Sequence, residues 1–151
     1  MDVRVLVQED VPATTRRLLW VDTSNGWPVV FSHSLGVIAA EDVAQLAFLA
    51  RCQLAASPLR GKSVAWIGGG TCLGPRLFQE CGCIQTVYEI EPALAEFCPH
   101  AVSFVLGDWR KTLAGKYDLI VYDLGEKVPR NDLTAHLKPG GVIFPPRNQN
   151  D

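Results

Sequence analysis

The sequence has no excess of positive charge. Fourteen Lys and Arg stand against sixteen Asp and Glu, giving a formal net charge of −2, and the cations form no stripe. The electrostatic footprint of a nucleic-acid partner or an anionic membrane surface is therefore missing. No apolar run approaches the length of a membrane span. The N-terminal MDVRVLVQED has charges where a signal peptide carries its apolar stretch, so a cytoplasmic protein is expected. There are only three His, and Cys52, Cys72, Cys81, Cys83 and Cys98 show no paired zinc-type spacing, so no metal site is expected. Cys81-Gly82-Cys83 invites a redox or metal reading, but small buried thiols at a helix end are the better expectation.

What is present is enough apolar sequence for a core: 48% of 151 residues, which predicts one domain spanning 1–151. Its first part, 1–34, is patterned as β-structure. Arg16–Asp22 and Trp27–His33 flank Thr23-Ser24-Asn25-Gly26, and Asn-Gly is a strong hairpin signal. Residues 41–56 read as a linking helix, with Val43, Leu46, Ala47, Leu49 and Ala50 on one side. From 63 to 144 strands alternate with helices. The strands Val64–Ile67, Thr86–Glu89, Ser103–Leu106, Leu119–Tyr122 and Val142–Phe144 are short and apolar. Such spacing predicts an α/β, Rossmann-like fold with a parallel sheet of about five strands in the order 3-2-1-4-5, the N-terminal hairpin beside it. Pro75 and Pro92 sit where helices open, and Lys138-Pro139-Gly140-Gly141 reads as a tight turn before the last strand.

The stretch from Val64 to Glu91 is a strand, a glycine-rich turn, a helix and a second strand ending in an acid. Glycines let the backbone turn sharply and approach a ligand. An acid at the end of the second strand is placed to accept from ribose hydroxyls, the plan of a nucleoside-binding βαβ unit. Gly68-Gly69-Gly70-Thr71-Cys72-Leu73-Gly74 holds GxG, but its third glycine comes one position late for GxGxxG. Three features add weight. Glu89 stands where the ribose acid belongs, or is a solvated strand-end carboxylate. Gly107-Asp108-Trp109 follows the third strand; Asp108 can accept from an adenine amine and Trp109 can cover the ring, or Asp108 is a helix N-cap. Tyr117–Asp123 delivers Asp123 to the carboxyl end of the fourth strand, at the ligand crevice, or as another cap.

In this order these motifs resemble the class I S-adenosylmethionine-dependent methyltransferases, over roughly Ser63 to Phe144. Within that superfamily they are most similar to spermidine synthases, whose stretches GGGDGG, VEID, GD and DSSDP correspond to Gly68–Thr71, Tyr88–Glu91, Gly107-Asp108 and Asp123–Glu126. The resemblance implies that Gly68, Gly69 and Gly70 line the donor, that Glu89 holds its ribose, and that Gly107, Asp108 and Trp109 hold its adenine. It implies S-adenosylmethionine or its decarboxylated form as cofactor, and Asp123 with Glu126 as the catalytic acids. A methyl or aminopropyl group would pass to a small acceptor, expected to be an amine.

Departures from the pattern are specific. Thr71 replaces the loop Asp, Cys72 and Leu73 replace two glycines, Lys127 replaces a Pro, and Gln45-Leu46 stand near the place of a Tyr-His or Tyr-Gln pair. Strand Val142–Phe144 is expected to end the sheet, without the helix and two-stranded unit that follow in that family. It would then be an apolar edge, which a homodimer is expected to cover. The competing expectation is a non-catalytic, oligomeric module that binds an adenosyl ligand or none.

Overall fold

A computed structural model of the chain describes residues 43–70 and 72–147 and, ahead of them, the strand segments 3–5, 19–22, 29–32 and 36–37. The chain divides into two compact units, Met1–Arg60 and Gly61–Asp151. The first carries β1 (Val3–Val5), β2 (Leu19–Asp22), β3 (Val29–Ser32) and β4 (Gly36–Val37), in antiparallel order, then helix α1 (Val43–Ala56). The turn of the expected hairpin at Asn25-Gly26 and the side chains of its arms lie outside the described residues. In α1, Leu49, Cys52, Gln53 and Ala56 are buried while Arg51 and Leu54 are exposed, the helical spacing of one inward stripe.

The second unit is a five-stranded sheet. Its strands are β5 (Ser63–Ile67), β6 (Ile84–Glu89), β7 (Ser103–Leu106), β8 (Tyr117–Tyr122) and β9 (Leu137–Phe144), in the order β7-β6-β5-β8-β9. Every pairing is parallel, so the expected order 3-2-1-4-5 is the observed one. Sequence explains which strands are central. Val64, Ala65, Trp66 and Ile67 are all buried, as are Leu119 to Tyr122, because a parallel sheet covered on both faces needs continuous apolar strands. Fully burying a side chain such as Ile67, Leu119 or Ile120 contributes ~1.5–3 kcal/mol. Phe104 and Val105 of the outer strand β7 are only half-buried.

The connections are shorter than the alternation suggests. Helices α2 (Leu73–Phe78), α3 (Trp109–Thr112) and α4 (Arg130–Thr134) are brief. The helix expected to open at Pro92 is a 3₁₀ helix, Pro92–Phe97, with no buried residue. Its large apolar residues, Leu94 and Phe97, are three apart, which suits three residues per turn better than 3.6. The tight turn expected at Lys138–Gly141 is folded into β9. Leu137 pairs with Tyr117 and Val142 with Leu119, so the intervening residues bulge out of the ladder. At the amino end of the sheet, the Asp118 carboxylate accepts from the backbone N–H of Ser63 at 2.8 Å and from its hydroxyl at 3.2 Å, tying β8 to β5.

A buried polar chain fixes α2 against the strands. Trp66 Nε1 donates to Gln85 Oε1 at 2.7 Å, and Gln85 Nε2 donates to the carbonyl of Pro75 at 2.9 Å. Both side chains are buried, so each needs the partner it has. Cys81 is buried at the end of a 3₁₀ turn, and Cys83 Sγ donates to the carbonyl of Phe78, so this pair packs as small thiols at a helix end.

Candidate functional site

The glycine turn leaves β5 at Ile67. Gly68 has φ +86, and a Cβ there would lie 2.5 Å from Leu124 Cδ2 and 3.2 Å from the carbonyl oxygen of Asp123. The loop after β8 thus packs directly onto the loop after β5, which only a residue without Cβ allows. At Gly69 a Cβ would lie 2.6 Å from Val87 Cγ1. Cys72, the residue before α2, takes a left-handed conformation at φ 59, a place costly for a side chain bearing Cβ. Burial pushes the Cys72 thiol up to about 11, and the neighbouring Cys98 thiol adds to that.

Glu89, at the end of β6, is buried at 8% exposure. Its Oε1 accepts from the backbone N–H groups of Gly69 and Gly70, both at 3.2 Å. Its Oε2 accepts from those of Ile90 at 2.7 Å and Glu91 at 3.1 Å. A carboxylate has about four acceptor positions, and four N–H groups of the chain itself face this one. The solvated strand-end reading is overturned: Glu89 is an internal clamp on the glycine turn. The Gly69 and Gly70 pair is the longer one, and so the easier to exchange for hydroxyl donors.

The third strand's end behaves in two ways at once. Asp108 Oδ1 accepts from the Arg110 backbone N–H at 3.1 Å, capping α3. Among the described residues no hydrogen bond reaches its Oδ2, so the cap leaves one oxygen for another donor. Trp109 is buried in a T-shaped pair with Tyr122, ring centroids 5.9 Å apart, and belongs to the core cluster with Ile67, Tyr88 and Ile120. The Arg110 guanidinium lies 4.6 Å from the Trp109 ring centroid, taking one face of the indole.

Past β8, Asp123 is exposed, and its backbone N–H donates to the carbonyl of Ile67 at 3.1 Å. Glu126 is also exposed, and Oε1 accepts from the Tyr122 hydroxyl at 2.6 Å. Burial, reinforced by the Glu126 carboxylate, pushes the Tyr122 phenol up to about 12. The hydroxyl therefore stays protonated and holds Glu126 in place.

These elements meet around a cavity of about 280 Å³ at the carboxyl ends of β5, β6 and β7. Of the residues singled out from sequence, Gly68, Glu89, Gly107, Asp108, Trp109 and Glu126 line it. Gly69 and Gly70 stand behind Glu89 instead, and Asp123 is not in the lining. Sequence reasoning gave no site role to Tyr88, Ile90, Arg110 and Leu124, which also line it. Tyr88 was hidden because its hydroxyl, bonded to those of Tyr117 and the Ala114 carbonyl, reads as core. Arg110 and Leu124 follow recognised acids in sequence, but no motif requires those side chains. Among the described residues no group of His, Cys, Asp and Glu could hold a metal ion, and no helix is long and apolar enough to cross a membrane.

No protein-family model and no curated protein sequence matches the chain. Solved structures do. A SAM-dependent methyltransferase from Thiobacillus denitrificans, in complex with S-adenosyl-L-homocysteine, matches at 20% identity over 70% of this chain and 47% of its own, with a TM-score of 0.54. The C-terminal domain of precorrin-6Y C5,15-methyltransferase from Rhodobacter capsulatus matches at 19% identity, over 65% and 60%, with a TM-score of 0.55. Human methyltransferase-like protein 13, also in complex with S-adenosyl-L-homocysteine, matches at 15% identity, over 70% and 64%, with a TM-score of 0.52. The chain thus spans about half to three-fifths of the length of these structures. At such identities the likeness establishes architecture: the sheet has the Rossmann-like fold of class I S-adenosylmethionine-dependent methyltransferases.

Proposed function

We propose that the Gly61–Asp151 unit binds S-adenosylmethionine in the 280 Å³ cavity and that the protein transfers the methyl group to a small, amine-bearing acceptor. One observation carries the reading: Gly68, Glu89, Gly107 and Asp108, from three separate strand ends, converge on a single cavity. The neighbours of the same fold whose names include S-adenosyl-L-homocysteine support it. The residues present suit the group. Oδ2 of Asp108 can accept from an amine donor, and Glu89 can exchange its two longer N–H bonds for ribose hydroxyls. The volume is near the lower end for small-molecule sites, about 300 Å³. Leu124 packs over Gly68 and lines the same cavity.

Bound there, S-adenosylmethionine would supply an electrophilic methyl group on a cationic sulfonium. The chain's task is then positioning and proton handling. Glu126, steadied by Tyr122, and Asp123, just past β8, would orient the acceptor amine and take up its proton. Aminopropyl transfer from decarboxylated S-adenosylmethionine, the spermidine synthase chemistry, rests on the motif resemblance alone. A second reading, a non-catalytic oligomeric module, is favoured by two observations: Asp123 lies outside the lining, and Leu124 covers the glycine turn.

Calorimetric titration of S-adenosylmethionine, its decarboxylated form, S-adenosylhomocysteine, methylthioadenosine and NAD separates these. Binding of the first and third, with weaker binding of the decarboxylated form, is the expected outcome. Preference for the decarboxylated form would move the reaction to aminopropyl transfer. Binding of none would remove the donor site.

A further inference from the structure

A second, larger cavity of about 540 Å³ lies outside the site described above. It is lined by Lys127, Arg130 and Arg147, with Val128, Asn131 and Asp132 between them. Lys127 follows the carboxyl end of β8, and Arg147 follows that of β9. The cavity therefore opens on the side of the sheet where ligands of parallel α/β proteins bind. Among the described residues three cations and one carboxylate line it, and that carboxylate is engaged: Asp132 Oδ2 accepts from Arg110 Nη1 at 2.9 Å. Arg130 is held in place, since its Nη2 donates to the carbonyl of Pro145 at 2.9 Å.

The same ion pair joins the two cavities. Arg110 lines the smaller one and Asp132 the larger. Glu126, which lines the smaller, is followed directly by Lys127, which lines the larger. A molecule in the larger cavity would lie next to Glu126, one of the acids assigned to the acceptor, with its far end among cations.

We propose that the 540 Å³ cavity is a second binding site, for the anionic group of a small acidic molecule, a carboxylate or a phosphate. Its role as the acceptor's acid end rests on the methyltransferase reading; its existence as an anion site does not. An acceptor so held would carry an acid group at one end and the reacting amine at the other. Arginine and lysine suit either anion, with arginine able to bond it in two places at once.

Inorganic phosphate and succinate are titrated separately into the full chain and followed by amide NMR, with S-adenosylhomocysteine titrated in a parallel sample. Saturable shifts are expected around Lys127, Arg130 and Arg147, and the tighter of the two probes tells phosphate from carboxylate. The double variant Lys127→Gln/Arg147→Gln, whose side chains are both exposed, should keep its fold and weaken the probe by roughly tenfold or more. Lys116→Gln, an exposed cation at the opposite end of β8, should leave it unchanged. No shift with either probe at about 10 mM overturns the proposal, since that leaves less than a millimolar-class site. So does equal weakening by Lys116→Gln, which would mean general charge attraction. Phosphate or succinate binding without S-adenosylhomocysteine binding would keep this site and remove the donor reading; the converse would keep the donor reading and remove this site.

Discussion

Glu89→Gln tests the donor site and the fold together. The substitution keeps size and shape and exchanges one acceptor oxygen for an N–H₂ group. In the wild type Oε1 faces the N–H groups of Gly69 and Gly70, and Oε2 those of Ile90 and Glu91. The amide can satisfy only one of these pairs; the other then meets a donor. The least costly orientation keeps the shorter bonds to Ile90 and Glu91 and turns N–H₂ toward the glycine turn. Hydrogen bonds to a charged group contribute about 1.5–3 kcal/mol each, and those at 3.2 Å fall at the weak end. Losing two, in a side chain with 8% exposure, is expected to cost about 2–4 kcal/mol. For a chain near 150 residues that is a fall in Tm of about 5–15 °C. Donor affinity should fall by tenfold or more as well, because both the ribose acceptor and the turn's conformation are lost. Thermal melting by circular dichroism and calorimetry with S-adenosylhomocysteine measure the two effects on one sample. An unchanged Tm would refute the clamp. A lowered Tm with wild-type affinity would keep the clamp and refute the ribose assignment.

Three further outcomes are expected. Asp118 has its carboxyl held below the usual range, first by the backbone N–H of Ser63 and then, against opposing burial, by Lys138. A lowered folded value means stability that is present above the unfolded value of about 3.9 and is lost as pH falls through the folded value. Asp118→Asn should therefore lower Tm by a few degrees at pH 7, about 1 kcal/mol, and lose less on acidification below about pH 4; parallel Tm-against-pH curves for the two proteins would contradict this. Asp123→Asn should cut turnover about 10²–10⁴-fold with donor affinity far less affected, whereas a lowered Tm and an unaltered rate would make Asp123 a cap. Sedimentation should give a homodimer, because the sheet's outer strand β9 keeps Val142 and Ile143 partly exposed; a 16.5 kDa species throughout the micromolar range would rule it out.

The order of the sheet was legible because it follows from few signals. Five apolar runs at crossover spacing permit little besides a parallel sheet, and the right-handed crossover rule does the rest. The bounds were not legible where residues outside the apolar run extend a strand. Ile84 and Gln85 begin β6 though one is exposed and the other amide-bearing, because Gln85 finds partners in Trp66 and Pro75. Lys138-Pro139-Gly140-Gly141 has every mark of a turn and yet bulges inside β9, since a turn and a bulge draw on the same residues.

The site divides along the same line. Glycines and strand-end acids are readable because backbone geometry demands them, and Gly68, Glu89, Gly107 and Asp108 do reach one cavity. What surrounds them depends on loop packing, which no local pattern encodes. Leu124 is the clearest case. A leucine after a strand-end Asp carries no chemical signal, yet Leu124 packs over Gly68 and lines the cavity. Asp123 and Glu126 show the consequence for function. Both were chosen for their place after one strand, but the turn aims them differently: Glu126 bonds Tyr122 and lines the cavity, while Asp123 does not line it. If a rate measurement must choose between them, geometry favours Glu126. Glu126→Gln is therefore expected to lose more turnover than Asp123→Asn when the two variants are assayed side by side; the reverse ranking would favour the motif over the geometry.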